Sequence, residues 1–134
     1  MKIKLLTMLL ALVFFIACAS VEVPEREAEF YKFYSNISFD EIWDASLKAI
    51  DDLGLVLGEK SEERGYIYGK RRTTHPISTP PMEIFMRREN GRIRVGCEPL
   101  LVSRDIHPSA LSKEKKKWVE VFFRALDKKL NIKP

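Results

Sequence analysis

The residues of this chain most suited to binding an anion are four arginines, Arg71, Arg72, Arg87 and Arg94. Arg87 and Arg94 flank an Asn-Gly pair, which is a strong signal for a two-residue hairpin turn. Pairing across that turn sets these two arginines opposite each other on one sheet face, where like charges are destabilising without a counter-charge. Guanidinium groups bind carboxylates and phosphates well, so the arginines are a candidate site for an anionic partner. A second interpretation is a solvated face on which Glu83 and Glu98 neutralise them.

No catalytic or metal-binding motif accompanies the chain's two histidines. His75 and His107 each precede a proline in a predicted loop, without the Cys/His/Asp spacing of a metal site. Both are therefore predicted to be exposed loop residues. The sequence also contains no glycine-rich phosphate loop. We expect a protein that is not an enzyme and that uses no metal and no cofactor, with a hydrolase as the least favoured alternative.

The first eighteen residues carry the most specific signal in the chain. Two lysines precede an apolar run, Leu5–Ile16, and Ala17-Cys18 follows. A positive segment, an apolar segment and a small residue, in that order, are typical of a secretory signal peptide. The segment Phe14–Cys18 resembles the lipobox of bacterial lipoproteins. This resemblance implies cleavage before Cys18, a thioether-linked diacylglycerol on that residue and an acylated amino terminus.

Two other interpretations of this segment stay open. An uncleaved membrane helix is disfavoured because the apolar run is shorter than the roughly 20 residues that span the hydrocarbon core. Ordinary secretion, with cleavage near Ala17 or Ala19, would leave Cys18 without lipid. We favour lipidation, in which two or more acyl chains on Cys18 give a stable membrane anchor.

The mature chain has the composition of one soluble globular domain. Cleavage would leave 117 of the 134 residues, enough for a single modest core. Loss of the two amino-terminal lysines lowers the formal net charge from +4 to about +2, which does not favour a nucleic-acid partner. If Cys18 carries lipid, Cys97 has no cysteine to pair with. Its position in an apolar, alternating strand predicts a buried and inert thiol.

Three segments follow from these observations. Residues 1–17 are the predicted signal peptide, and residues 18–29 are the predicted lipidated cysteine and an acidic tether that contains Pro24. Residues 30–132 are the predicted folded domain, without internal repeats.

The folded domain is predicted to be α+β. Ser38 and Glu41 form a capping box at a helix start, Gly54 ends that helix, and a second helix begins at Ser109 or Ser112. The order strand, helix, four antiparallel strands, helix predicts a two-layer sandwich, with both helices on one face of a sheet of four to five strands. The hairpin residues assigned to the core face are Ile84, Met86, Ile93, Val95 and Cys97.

Three short patterns resemble a known class of proteins: Ser38–Trp43, Leu53–Leu55 and Gly65–Ile67. Together they resemble small bacterial envelope lipoproteins and, more loosely, the helix-grip domains of the C-subunit lipoprotein of the outer-membrane barrel assembly machine. The resemblance covers roughly residues 30–130. It implies a module that binds protein or ligand rather than a catalyst, and it assigns no functional residue.

The expected function is a lipid-anchored cell-envelope protein that acts as an interaction or assembly module with an envelope protein partner. Its expected binding surface is the exposed sheet face together with the loop Arg71–Pro81. The alternative is a binder of an anionic small ligand, lipid head group or cell-wall glycan through the arginines. In lipoproteins of this kind an Asp directly after the lipidated Cys often marks retention in the inner membrane. Ala19 occupies that position, so in an organism with two membranes the resemblance favours the outer membrane, facing the periplasm, over the inner membrane.

Overall fold

The computed structural model describes residues 27–72, 79–101 and 107–133. In these ranges the strands are β1 (Phe30–Tyr34), β2 (Val56–Ser61), β3 (Tyr66–Lys70), β4 (Met82–Glu89) and β5 (Arg92–Pro99). The helices are α1 (Phe39–Asp52) and α2 (Pro108–Lys129). The order β-α-β-β-β-β-α is the one predicted from the sequence, and the α+β fold is confirmed.

All neighbouring strands pair antiparallel in one sheet of order β1-β5-β4-β3-β2. After β1 the chain passes through α1 to the opposite edge of the sheet. It then returns strand by strand until β5 pairs with β1. The first and last strands of the sequence are therefore neighbours, and the segment that precedes β1 lies beside the hairpin of β4 and β5.

The register of this hairpin is the predicted one. Arg87 pairs with Arg94 and Met86 with Val95. Asn90 and the glycine after it both have positive φ angles, of 51° and 74°, as a type I′ turn requires at its two central residues. The turn therefore fixes which side chains share a face.

Both helices pack on the same face of the sheet. The five hairpin residues predicted to face the core are all buried. They meet an apolar stripe from α1 and another from α2, formed by Ile42, Ala45, Ala49, Ile50, Val119, Phe122 and Leu126. Burial of these apolar groups is the main favourable term for this layer. Cys97 belongs to the core, as predicted, and has no exposed surface.

The ends of α1 are those that the sequence predicts. The Ser38 hydroxyl accepts a hydrogen bond from the Glu41 amide at 3.2 Å. Gly54, with φ of +77°, donates to the Asp51 carbonyl at 2.9 Å. The next amide, of Leu55, reaches back to the α1 backbone, which completes a C-terminal cap that favours glycine.

The start of α2 differs from the prediction. The helix begins at Pro108, before both predicted positions, and His107 is its N-cap residue. Its Nδ1 atom accepts a hydrogen bond from the Ser109 amide at 3.4 Å. A proline fits the first turn because that position needs no amide donor, so the His-Pro pair begins a helix rather than excluding one. His107 is exposed, as predicted, whereas His75 lies outside the described residues.

Several sequence predictions concern the chain before residue 27. The predicted signal peptide, Cys18 and most of the predicted tether lie outside the described residues. Within the described ranges, neither helix has the length and apolarity needed to cross a membrane.

Candidate functional site

The face of the sheet turned away from the helices carries the chain's most unusual side-chain arrangement. We call this face the open sheet face. Side chains alternate between the two faces along each strand. The residues that alternate with the core positions therefore lie on the open sheet face. From β1, β5, β4 and β3 these include Tyr31, Phe33, Arg92, Arg94, Phe85, Arg87, Glu89, Tyr66 and Tyr68.

Arg87 and Arg94 each contact the same two carboxylates. Arg87 donates to Glu27 at 2.7 Å and to Glu89 at 2.9 Å. The Arg94 guanidinium lies 3.6 Å from Glu27 and 3.8 Å from Glu89. Two positive and two negative groups therefore form a compensated cluster, and the electrostatic cost of placing two arginines directly opposite each other is offset within the chain.

The contact between Glu27 and Arg87 favours the ionised form of both groups. The hydrogen bond and the charge of Arg87, followed by the charge of Arg94, hold the pKa of Glu27 below its usual range. The hydrogen bond to Glu27 in turn raises the pKa of Arg87. Because Glu27 and Arg87 are exposed, water screens their attraction and each ion pair contributes little to folding. The cluster is therefore suited to reversible contacts more than to stabilising the fold.

Aromatic rings hold the neighbouring arginines in place. The Arg94 guanidinium lies 3.9 Å from the centroid of the Tyr31 ring, and Arg92 lies at the same distance from Phe33. Such stacking is a favourable cation–π contact. The Arg94 side chain is only 14% exposed, against 51% for Arg87. Arg94 is thus the fixed member of the pair, and Arg87 is the accessible one.

The segment that precedes β1 crosses the open sheet face at Gly96. We call the residues Glu27 and Ala28 the strap. A Cβ atom on Gly96 would lie 2.7 Å from the Ala28 Cβ, so glycine is what permits this close approach. Ala28 is buried there, although it belongs to the predicted tether. The strap brings the Glu27 carboxylate to the arginines.

A small cavity lies beside this cluster. Its volume is about 150 Å³. The strap and the two arginines of the cluster line it, together with Arg64, Gly65 and Phe85. A cavity of this volume holds a molecule about the size of benzene. The cluster is therefore next to a space that suits one small side chain or one small ligand.

The four arginines singled out in the sequence do not meet. Arg72 lies beyond β3 and contacts Asp51, at the end of α1, at 3.7 Å. Arg71 is exposed beside it. Met82 pairs with Gly69 near the end of β3. Five residues of strand separate Met82 from Arg87, which is roughly 17 Å. Only Arg87 and Arg94 form a cluster.

The counter-charges of that cluster also differ from the expectation. Glu83 accepts a hydrogen bond from the Tyr66 hydroxyl at 2.8 Å, and Glu98 pairs with Lys115 of α2 at 2.7 Å. Glu83 is four residues from Arg87 along β4, which is about 13 Å. Glu89 is only two residues from Arg87, so these two side chains are neighbours on one face. Glu27 belongs to the predicted tether and is not among the predicted counter-charges, although an acidic segment in a chain with a predicted arginine pair is a signal that could have indicated it.

The remaining chemistry of the described residues is limited. Among residues 27–72, 79–101 and 107–133, no group of three His, Cys, Asp or Glu side chains is arranged to hold a metal ion. Burial raises the pKa of the Cys97 thiol, so the thiol is protonated at neutral pH and is not an activated nucleophile. What the open sheet face offers is binding chemistry, from arginine forks, carboxylates and aromatic rings.

Comparisons with known proteins add no family to these observations. A scan against protein-family models found no match, and a search of curated proteins found no matching relative. The resemblance to envelope lipoproteins stays a prediction. The function is therefore argued from the geometry and from the amino-terminal sequence.

Proposed function

We propose that this protein is a lipid-anchored lipoprotein of the bacterial cell envelope and that its folded domain is a non-catalytic interaction module. Residues 1–18 support the first part, because their order of charge, apolar run and Ala-Cys pair matches a lipoprotein signal. The open sheet face supports the second part. An outer-membrane position facing the periplasm is part of the proposal, based on Ala19.

The observation that carries the interaction role is the stacking of Tyr31 on Arg94 beside that of Phe33 on Arg92. The Tyr31 side chain is 50% exposed although it is large and aromatic, and its ring meets the Phe33 ring edge-on at 5.6 Å. Tyr and Arg are enriched where protein interfaces bind most strongly. Side chains that are already ordered lose less entropy on binding. This corner of the sheet is therefore a prepared contact surface.

The positive charge of this surface indicates the chemistry of a partner that would fit it. Arg92 is exposed at the start of β5, and the Phe33 ring on which it stacks contacts the ring of the half-exposed Tyr31. A partner with carboxylates around a small apolar contact would complement both. We therefore propose an envelope protein with an acidic surface as the partner.

Photo-crosslinking in intact cells tests this proposal. A photoreactive amino acid replaces Tyr31 in one strain and Arg92 in another, and Lys48, exposed on α1, serves as the control position on the helix side. We expect the same identified envelope protein from both sheet positions and not from Lys48. Arg92→Glu should then reduce crosslinking from Tyr31. Crosslinks that are the same at Lys48, or uncrosslinked monomer at both sheet positions, would contradict the proposal.

The anchor has its own test. Cells grown with a labelled fatty acid should incorporate it into the wild-type protein and into Cys97→Ala, but not into Cys18→Ala. Cys97→Ala is the matched control because it removes the other cysteine. Cys18→Ala should also leave the membrane fraction, since acyl chains supply the anchor. Equal labelling of all three proteins would reject lipidation at Cys18.

A further inference from the structure

We propose that Arg87 and Arg94 form a carboxylate-binding site that the chain fills itself with Glu27, and that a carboxylate from an acidic partner can replace it. The strap then acts as a latch, with Glu27 and Ala28 held on the open sheet face. This inference deepens the interaction role proposed above by naming the group that the surface recognises. Its test nevertheless uses the purified chain alone.

The first argument is the way in which the two glutamates contact the arginines. Glu27 uses both oxygens, with Oε1 at 2.7 Å from Arg87 and Oε2 at 3.6 Å from Arg94. Glu89 uses Oε2 for both contacts, at 2.9 Å and 3.8 Å. A carboxylate that bridges two guanidinium groups is the arrangement expected of a bound anion. Glu27 is therefore placed like a ligand.

The second argument is that Glu27 is the replaceable carboxylate. Glu89 belongs to β4 and is fixed by the hairpin, whereas Glu27 belongs to the strap and lies outside the strands. The Glu27 side chain is 66% exposed, so water screens its ion pairs and they contribute little. A carboxylate presented at high local concentration by a docked partner can compete with contacts of that strength.

The two arginines keep their other contacts when Glu27 leaves. The Tyr31 ring lies against Arg94, and Glu89 still contacts both arginines. The strap lines the cavity beside the cluster, so its release would widen that space for an incoming side chain. The two arginines therefore keep their positions, which lowers the entropic cost of binding a new carboxylate.

Release of the latch would change the reach of the anchor proposed at Cys18. An extended chain spans at most about 3.4 Å per residue. The chain from Cys18 to Glu27 can span at most about 30 Å, and the chain from Cys18 to the start of β1 at most about 40 Å. Partner binding would thus give the domain roughly 10 Å more distance from the membrane.

Trypsin cleavage of the purified full chain after Arg26 measures the latch, because the cleaved bond joins Arg26 to Glu27. The bond after Arg72 gives the reference rate. We expect Arg87→Gln to speed cleavage after Arg26 by roughly fivefold, the scale of one lost surface ion pair. Arg124→Gln, which removes an exposed arginine of α2 and leaves the open sheet face unchanged, is the matched control and should leave the rate unchanged.

Gly96→Ala tests the same latch without changing any charge. The added Cβ would meet the Ala28 Cβ at 2.7 Å, while its other close neighbours stay at 3.7 Å. The variant should therefore displace the strap, keep the sheet, and speed cleavage after Arg26. Wild-type rates in both Arg87→Gln and Gly96→Ala would overturn the latch.

Replacement by an external carboxylate is tested with a capped tetraglutamate peptide. At equal ionic strength, the peptide should speed cleavage of the wild type more than sodium chloride does, and it should have no such effect on Arg87→Gln. A peptide effect no larger than that of chloride would overturn the exchange, and an equal effect of inorganic phosphate would overturn the assignment to carboxylates. Failure of the cellular crosslinking would contradict only the proposed partner, since this assay contains none.

Discussion

Arg87 and Arg94 lie directly opposite each other in the β4–β5 hairpin, and Glu27 and Glu89 contact both of them. One glutamate comes from the hairpin itself and the other from the segment before β1. The hairpin therefore supplies only part of the negative charge that its two arginines need. The other part comes from a segment that is distant in sequence, so the arginine pair connects the two interior strands β4 and β5 to Glu27, before β1.

The latch should open in acid. Arg87 first, and then Arg94, lower the pKa of Glu27 from its ordinary value of 4.5, and the other charged groups at the site are Glu89 and Arg64. The released strap binds a proton more readily than the docked one. Docking is therefore complete above pH 4.5 and is lost as the pH falls through the lowered pKa of Glu27.

Carboxyl carbon NMR of the full chain checks this expectation. The titration midpoint of Glu27 should lie below 4.5 in the wild type and in Arg92→Gln. In Arg87→Gln the midpoint should rise toward the ordinary value, because the first cause of the shift is gone. A Glu27 midpoint that is the same in all three proteins would show that its carboxylate does not contact Arg87 in solution.

Two glycines with positive φ should respond very differently to substitution by alanine. A Cβ on Gly65 would lie 1.8 Å from the Met86 carbonyl oxygen, and the Gly65 carbonyl accepts from the Met86 amide. We expect Gly65→Ala to destabilise the domain by more than about 4 kcal/mol or to prevent folding. A Cβ on Gly91 meets nothing within 4 Å, so Gly91→Ala should cost only about 1–2 kcal/mol for its backbone conformation. Urea midpoints give the comparison, and equal midpoints would contradict it.

Local signals explain how much of this fold could be predicted. The turn at Asn90-Gly91 sets the register of the hairpin because its φ requirements leave few alternatives. The ends of α1 could also be predicted locally, because Ser38 and Gly54 cap the helix through hydrogen bonds to residues only a few positions away. The alternation of apolar residues along β4 and β5 then assigned the core face. Each of these features is decided by neighbours in the sequence.

The candidate site depended on contacts that the sequence does not encode locally. Glu27 meets Arg87 across 60 positions of chain, and no spacing or period marks such a pair. The expected partners Glu83 and Glu98 lie on the open sheet face by parity, as predicted. Their carboxylates nevertheless interact with Tyr66 and Lys115. The alternation along a strand predicts which face a residue lies on. Its contacts also depend on its distance from other residues along the strand and on segments that are distant in the sequence.

The Cys97 thiol should not react in the folded protein. It has no exposed surface, and burial raises its pKa, so it is both inaccessible and protonated. For a domain of ordinary stability, labelling through global unfolding is slowed by at least about 1,000-fold. Timed alkylation of the full chain, with and without urea, measures this factor by mass spectrometry. Rapid labelling without urea would contradict the core position of Cys97.

The last prediction concerns Asp127, which fastens the edge strand β1 to α2. Its carboxylate accepts from the Tyr34 hydroxyl at 2.7 Å and from the Lys32 amine. Tyr34→Phe should destabilise the domain by about 1.5 kcal/mol, because a partly buried hydrogen bond to a charged group is lost. Tyr31→Phe, which alters a half-exposed ring, should change stability by less than about 0.5 kcal/mol. Equal urea midpoints for the two variants would contradict this role of Tyr34.

The pH dependence of the Tyr34→Phe effect gives a second check. Burial, and then the hydrogen bond to Asp127, raise the pKa of Tyr34 above its ordinary value of 10. In the unfolded chain this phenol ionises near pH 10, whereas in the folded domain it keeps its proton. The stabilisation by Tyr34 is therefore complete below pH 10 and declines as the pH rises above it. The difference in unfolding free energy between wild type and Tyr34→Phe should narrow over that range, and a constant difference would mean that Tyr34 ionises equally in both states.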